Sequence, residues 1–257
     1  ARLAGARVRL LPSDAATGFR LRPEDLEAAI TAATRLLVLN SPSNPTGMVL
    51  SRGELEAIAA VLRRHPQVAV VCDEIYEYLL APGHEHHSLA AVAPDLAERI
   101  LIAHGFAKGW AMTGWRIGWL ECHPSLAQTA ENLIQYSSSG VATFLQRGAI
   151  AALDHGASFV DHQIARARAG RDIVCEGLQA TGRVRFAKPE GAFYLYFKVE
   201  GATDSMALAK RLVDDANVGL APGSAFTKNT DPWLRLCFAR KAEDLAEATA
   251  RLVHALK

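Results

Sequence analysis

RLLVLNSPSNPTG (Arg35 to Gly47) is the stretch whose reading decides the fold. Its first half, Arg35 to Asn40, is an apolar run that reads as a buried strand, and its second half is a polar turn. The same pairing of apolar run and polar tail recurs downstream. VAVVCDE (Val68 to Glu74) leads into Ile75 to Tyr78, and RILIAH (Arg99 to His104) leads into a glycine-containing segment ending at Arg116. IGWLEC (Ile117 to Cys122) supplies a further strand, and ARVRLL (Ala6 to Leu11) a short candidate near the start. Helices fall between these runs. One covers Pro23 to Ala33, with proline near its first position and acids in its first turn. Another runs to about Arg64 and opens at Ser51 and Glu54, the S-x-x-E signature of a capping box.

Continuous apolar strands alternating with helices predict an α/β three-layer sandwich, its mostly parallel sheet covered on both faces. Ligands of such sheets gather beyond the carboxyl ends of the strands. That directs attention to Asn40 to Gly47, Asp73 to Tyr78 and His104 to Arg116, the most polar segments of this half. From Pro124 the pattern changes. Helical signals run to about His155 and again from Ser158 to Ala180. Strand signals follow at Arg183 to Ala187, Ala192 to Lys198 and Trp233 to Ala239, with helices over Ser205 to Ala216 and Lys241 to Leu256. The expected division is a large domain over residues 1–150, then a helical connector and a small α+β domain over 151–257.

The chain has 257 residues, half of them hydrophobic, enough for a substantial core. Its 28 basic and 27 acidic residues leave a net charge of +1, which gives no footprint for nucleic acid. Cys72, Cys122, Cys175 and Cys237 lie far apart in apolar segments and form no CxxC, so the expectation is buried thiols in a reducing cytoplasm. Apolar runs are broken by charge well short of the roughly 20 residues of a spanning helix, so no membrane association is expected. The opening at Ala1, in mid-pattern, reads as an N-terminal truncation. His84, His86 and His87 with Glu85 are spaced poorly for a metal and read as a surface loop. Trp110, Trp115 and Trp119 read as packing residues.

Taken singly, Asn-Pro-Thr-Gly is an ordinary turn, Asp73 and Glu74 a cap or solvated pair, Lys108 a surface lysine and Arg235 an edge residue. Taken together the segments say more. SPSNPTG (Ser41 to Gly47), CDEIYE (Cys72 to Glu77), HGFAKGWAMTGWRIG (His104 to Gly118) and WLRLCFA (Trp233 to Ala239) follow one another in order. In that order they resemble the class I and II aminotransferase family of fold-type-I pyridoxal-phosphate enzymes, over essentially the whole chain. PEGAFYLY (Pro189 to Tyr196) and APGSAF (Ala221 to Phe226) match the family's small domain.

The resemblance implies roles for individual residues. Lys108 would hold pyridoxal 5′-phosphate as a Schiff base and shuttle the substrate proton. Asp73 would pair with the pyridine nitrogen, while Asn44 and Tyr76 would hydrogen-bond the ring's phenolic oxygen. Arg116 would clamp the phosphate, and Arg235 the substrate α-carboxylate. The implied activity is transfer of an amino group between an amino acid and a 2-oxo acid, by a homodimer with shared sites. A β- or γ-lyase on the same fold, and a non-catalytic ligand-sensing domain, remain open alternatives. Two positions depart from the family's usual pattern. Ala107 and Gly105 stand where many relatives carry serine, so two phosphate-side hydroxyls are missing.

Overall fold

The computed structural model describes residues 1–11, 13–226 and 233–257. Two four-stranded sheets organise the chain. The first has the order β1 (Leu36–Asn40), β2 (Ala69–Asp73), β3 (Ile100–Gly105), β4 (Gly118–Glu121). β1, β2 and β3 are parallel, with Asn40 beside Asp73 and Asp73 beside Ala103, whereas β4 runs antiparallel to β3. The parallel register brings three strands to an end at one edge, which is what puts their polar tails side by side.

α1 (Pro23–Ala29) precedes β1, and the crossovers carry α2 (Arg52–Arg64) and the short α3 (Leu89–Val92). α2 starts where Ser51 and Glu54 form the expected reciprocal capping box. Its buried stripe of Leu55, Ile58, Val61 and Leu62 packs with Leu26 of α1, Leu89 of α3 and the inward residues Leu39, Val70, Cys72, Ile100 and Ile102 of the strands. Only one face of β1 is covered among the described residues. Leu36 and Val38, which point the other way, are exposed, so the expectation of cover on both faces is not met there.

The expected strand at Ala6 to Leu11 does not form; these residues are irregular and mostly exposed. The alternation of apolar and basic residues suits a strand, but among the described residues no neighbouring strand supplies its hydrogen bonds. The first long helical region also breaks. α4 (Ala127–Ser137) and α5 (Thr143–His155) are separated at Ser139 and Gly140, both with positive φ. α6 (Ala157–Gln179) then runs 23 residues to the second sheet.

The second sheet is antiparallel throughout, in the order β5 (Val184–Phe186), β6 (Tyr194–Val199), β8 (Trp233–Cys237), β7 (Ala221–Pro222). α6, α7 (Ser205–Ala216) and α8 (Ala242–Ala255) cover it. Leu178, Leu195, Phe197, Leu212, Leu234 and Leu252 form its core, essentially inaccessible to solvent. Tyr76 and Leu79, from the tail of β2, belong to this same core. The two sheets therefore meet at the segment that carries Asp73 and Tyr76. No helix among the described residues is long and apolar enough to cross a membrane.

Candidate active site

The tail of β1 is pinned to the tail of β2 by one side chain. Asn40 donates from Nδ2 to the Asp73 carbonyl at 3.0 Å and accepts the Asn44 amide on Oδ1 at 2.7 Å. The Ser41–Pro42 and Asn44–Pro45 peptides are cis. The turn closes at Gly47, where φ is +71° and a Cβ would meet the Pro189 side chain and the Gly191 carbonyl at 2.7 and 3.0 Å. Only glycine fits so close a crossing. The Gly47 carbonyl accepts from the amides of Glu190 and Gly191, both at 2.9 Å, which fastens the turn to the second sheet's PEGAFY segment. Glu190 adds its carboxylate, accepting from Arg20 and from the Val49 amide.

Asn44 reaches across the same junction. Its Oδ1 accepts from Arg235 Nη1 at 2.8 Å. Arg235 sits mid-strand in β8, half-buried, with its guanidinium carbon 4.3 Å from the Tyr194 ring centroid and 4.9 Å from that of Phe226. Its buried Nε has no hydrogen-bond partner among the described residues. A buried, unpaired guanidinium donor is costly, and a carboxylate is the group that best satisfies its planar fork.

The Asp73 carboxyl stands at the end of β2 and accepts from the Ile75 amide at 3.3 Å. Burial pushes it above the usual carboxylate range, against the pull of that amide and of the positive charges of His104 and Lys108. A cation placed against it would favour the ionised form, as a protonated pyridine nitrogen requires. The phenol of Tyr76 is buried and raised, chiefly by burial and next by its hydrogen bond to the Tyr194 hydroxyl at 3.2 Å. Lys108 follows β3, and its ammonium lies 5.7 Å from the centre of the Tyr76 ring and 5.8 Å from that of Phe193. Among the described residues it makes no hydrogen bond or ion pair. Amine, carboxylate, phenol and amide thus converge from three parallel strand ends, with Arg235 opposite. This donor set fits a pyridine aldehyde bearing a phenolic oxygen.

Arg116 stands apart. It is exposed, holds a left-handed backbone at φ 52°, and donates from Nη1 to the Thr113 carbonyl at 3.1 Å. No hydrogen bond or ion pair among the described residues joins it to the other five. Gly105 has a structural reason: a Cβ there would sit 3.1 Å from the Ile117 carbonyl and 3.2 Å from Gly118 Cα, so a serine would crowd the β3–β4 pairing.

A polar cluster behind Asp73 has no signal in the sequence pattern. Glu74 is 5% exposed and accepts from His86 Nε2 at 2.8 Å and Ser88 Oγ at 2.9 Å, with His104 Nε2 at 3.7 Å. His86, expected in a surface loop, is largely buried, with 13% of its side chain exposed. His104 also faces Glu77 at 3.5 Å and stacks on Trp119. Of the other tryptophans, Trp110 is buried and donates to the Ala152 carbonyl, whereas Trp115 is exposed.

Residues 1–252 match the sequence model of the family described as aminotransferase class I and II. A bifunctional aspartate aminotransferase and glutamate/aspartate-prephenate aminotransferase of Petunia hybrida is 36% identical, over all of this chain and 56% of its own length. An aspartate/prephenate aminotransferase of Cereibacter sphaeroides is 35% identical over 97% of this chain and 65% of its own. Among solved structures, Thermus thermophilus aspartate aminotransferase with maleate superposes with a TM-score of 0.92 at 36% identity. That match covers 99% of this chain and 65% of that one, so the chain spans between half and two thirds of these relatives. Matched along almost its entire length and superposed on solved members, the chain belongs to the class I and II aminotransferase family.

Proposed function

We propose that the protein is a pyridoxal-phosphate-dependent aminotransferase that moves an amino group between an amino acid and a 2-oxo acid. The observation that carries this is the convergence of Asn44, Asp73, Tyr76 and Lys108 at neighbouring strand ends, with Arg235 bonded to Asn44 across the junction. Bound at this site, the cofactor supplies an electron sink for the carbanion left when a substrate Cα loses its proton. The chain's own residues do the rest. Lys108 Nζ would hold the cofactor at its aldehyde carbon, and its amine would take up the proton from substrate Cα. The Asp73 carboxylate would keep the pyridine nitrogen protonated. Asn44 and the Tyr76 hydroxyl donate to the phenolic oxygen. Arg235 holds the substrate α-carboxylate, which satisfies its unpaired Nε. Arg116 would bind the phosphate in place of the Thr113 carbonyl it now meets.

Relatives whose names specify aspartate, and in some prephenate, make a dicarboxylic amino donor the first to test. A homodimer with shared sites is part of this reading. It is supported by the apolar surface of α4 and α5, where Tyr136 is 92% and Phe144 73% exposed. A cytoplasmic setting accords with four free cysteines, two of them buried.

The test is an absorption spectrum of the protein with added pyridoxal phosphate. A visible band in the wild type and none in Lys108→Ala is expected; the same band in both would refute the assignment. Aspartate should then bleach that band and leave pyridoxamine phosphate without free ammonia. Ammonia released together with a 2-oxo acid would indicate elimination instead.

A further inference from the structure

Resting on the site reading above, we propose that Tyr194 is a positioning residue that joins the substrate-carboxylate arginine to the phenol of Tyr76. Its ring carries the Arg235 guanidinium, and its hydroxyl is placed to donate to the Tyr76 oxygen once Tyr76 gives its own proton to the cofactor.

Tyr194 opens β6, where Tyr196 pairs with Arg235 and Tyr194 with Cys237, two residues farther along β8. Such a diagonal is within reach of an aromatic and a long side chain on one face of an antiparallel pair. Here the guanidinium carbon comes to 4.3 Å from the ring centroid. The other side of the residue meets the β2 tail. The Tyr76 and Tyr194 rings stand edge to face at 6.0 Å and 80°, and their hydroxyl oxygens are 3.2 Å apart. Tyr194 is thus in contact with both Arg235 and Tyr76. Its approach is fixed by the backbone, since Ala192 has φ 57° and Gly191 is packed against Pro42, Val49 and the Leu79 carbonyl.

The direction of the hydrogen bond follows from counting protons. A phenol has one proton to give and lone pairs to receive. Once Tyr76 spends its proton on the cofactor's phenolic oxygen, the contact with Tyr194 persists only with Tyr194 as donor. A phenylalanine at 194 would keep the ring against Arg235, Tyr76 and Phe193 without burying a hydroxyl. Burying one is costly unless it is bonded, so the hydroxyl serves Tyr76. A phenol that accepts such a bond becomes a better donor in turn. Tyr194 therefore strengthens the bond from Tyr76 to the cofactor while holding the arginine that binds substrate.

The two halves of the residue can be removed separately. Tyr194→Phe, Tyr194→Leu and the reference Tyr76→Phe would be compared as pyridoxal-phosphate-loaded protein. One readout is the pH midpoint of the cofactor's visible absorption change. A second is the affinity for maleate, taken from thermal shift and independent of turnover. Tyr194→Phe is expected to raise the midpoint by about half a pH unit and leave maleate affinity within about twofold. Tyr194→Leu is expected to raise the midpoint and to weaken maleate about fivefold, the scale of a lost cation–π contact. If Tyr76→Phe moves the midpoint and Tyr194→Phe does not, the proposal fails and the site reading stands. Unchanged maleate binding in Tyr194→Leu would overturn the arginine half. If Tyr76→Phe leaves the midpoint in place, or the wild type shows no band, the site reading fails and takes the proposal with it. Should Tyr194→Leu not fold, the isosteric Tyr194→Phe still decides the hydroxyl half.

Discussion

Replacing Glu74 with glutamine should cost stability in a pH-dependent way that the cluster behind Asp73 dictates. Burial alone would raise the Glu74 carboxyl, but hydrogen bonds from His104, His86 and Ser88, with the charge of His86, pull it down to about 2 from an ordinary 4.5. A carboxyl whose folded pKa lies below its unfolded one stabilises the fold above the unfolded value. It loses that contribution as pH falls toward the folded value. The difference of about two and a half units corresponds to roughly 3 kcal/mol at neutral pH, and about 1 kcal/mol of it should remain at pH 3. Glutamine is the uncharged isostere, equivalent to the acid already protonated. The stability gap between wild type and Glu74→Gln should therefore be about 3 kcal/mol at pH 7 and narrow by roughly 2 kcal/mol at pH 3. His104 faces Glu74, Glu77 and Glu121. Burial lowers its pKa and these acids more than offset that, so its own contribution is present at low pH and fades as pH rises. That contribution is complete below the ordinary histidine value of 6.5 and starts to fade only at the upper end of the window tested. Urea unfolding followed by far-ultraviolet circular dichroism at the two pH values is the assay. A gap that stays constant from pH 7 to pH 3 would refute the reasoning, because the loss would then come from shape rather than charge.

Two further outcomes are expected. On the proposed role of Arg235, Arg235→Gln would remove charge-assisted hydrogen bonds of about 1.5–3 kcal/mol to a carboxylate, so KM for the amino donor should rise roughly 10- to 150-fold, with a smaller change in kcat; steady-state kinetics would check this. Gly191→Ala places a Cβ 2.8 Å from Pro42 Cβ, 2.9 Å from Val49 Cγ2 and 3.1 Å from the Leu79 carbonyl, in a junction with rigid walls. Overpacking of this kind costs about 1–3 kcal/mol, which a lowered thermal midpoint would report.

The first sheet was legible because parallel strands are written as continuous apolar runs with polar tails. Arg35 to Asn40, Val68 to Glu74 and Arg99 to His104 contain β1, β2 and β3 with ends shifted by a residue or so. Capping was equally local, which is why Ser51 and Glu54 mark the start of α2. Readings failed where the deciding partner was distant or missing. Ala6 to Leu11 has a strand's alternation and, among the described residues, no strand to pair with. The break between α4 and α5 had a local signal, the serine run ending in Gly140, but apolar periodicity on both sides masked it. In the candidate site, Asn44, Asp73, Tyr76, Lys108 and Arg235 stand out in the sequence only through the family resemblance of the segments that carry them. Nothing in the spacing could pair Glu74 with His86 and His104, or Tyr76 with Tyr194, since those contacts depend on how the second sheet and the β3 tail fold back.

Those long-range contacts also explain why site geometry and stability should prove hard to separate in this chain. The junction between the sheets is made by the Gly47 carbonyl with Glu190 and Gly191, the Leu80–Gly191 bridge and the Ala81 amide on the Glu190 carbonyl. Two site contacts, Asn44 with Arg235 and Tyr76 with Tyr194, cross the same junction within a few residues of it. Backbone bonds set the distance between the sheets, and the side-chain bonds can form only at that distance. A change that loosens the backbone junction should therefore weaken carboxylate binding at Arg235 without touching any residue that meets substrate. A change confined to a side-chain crossing, such as loss of the Tyr194 hydroxyl, should perturb the site while the junction holds.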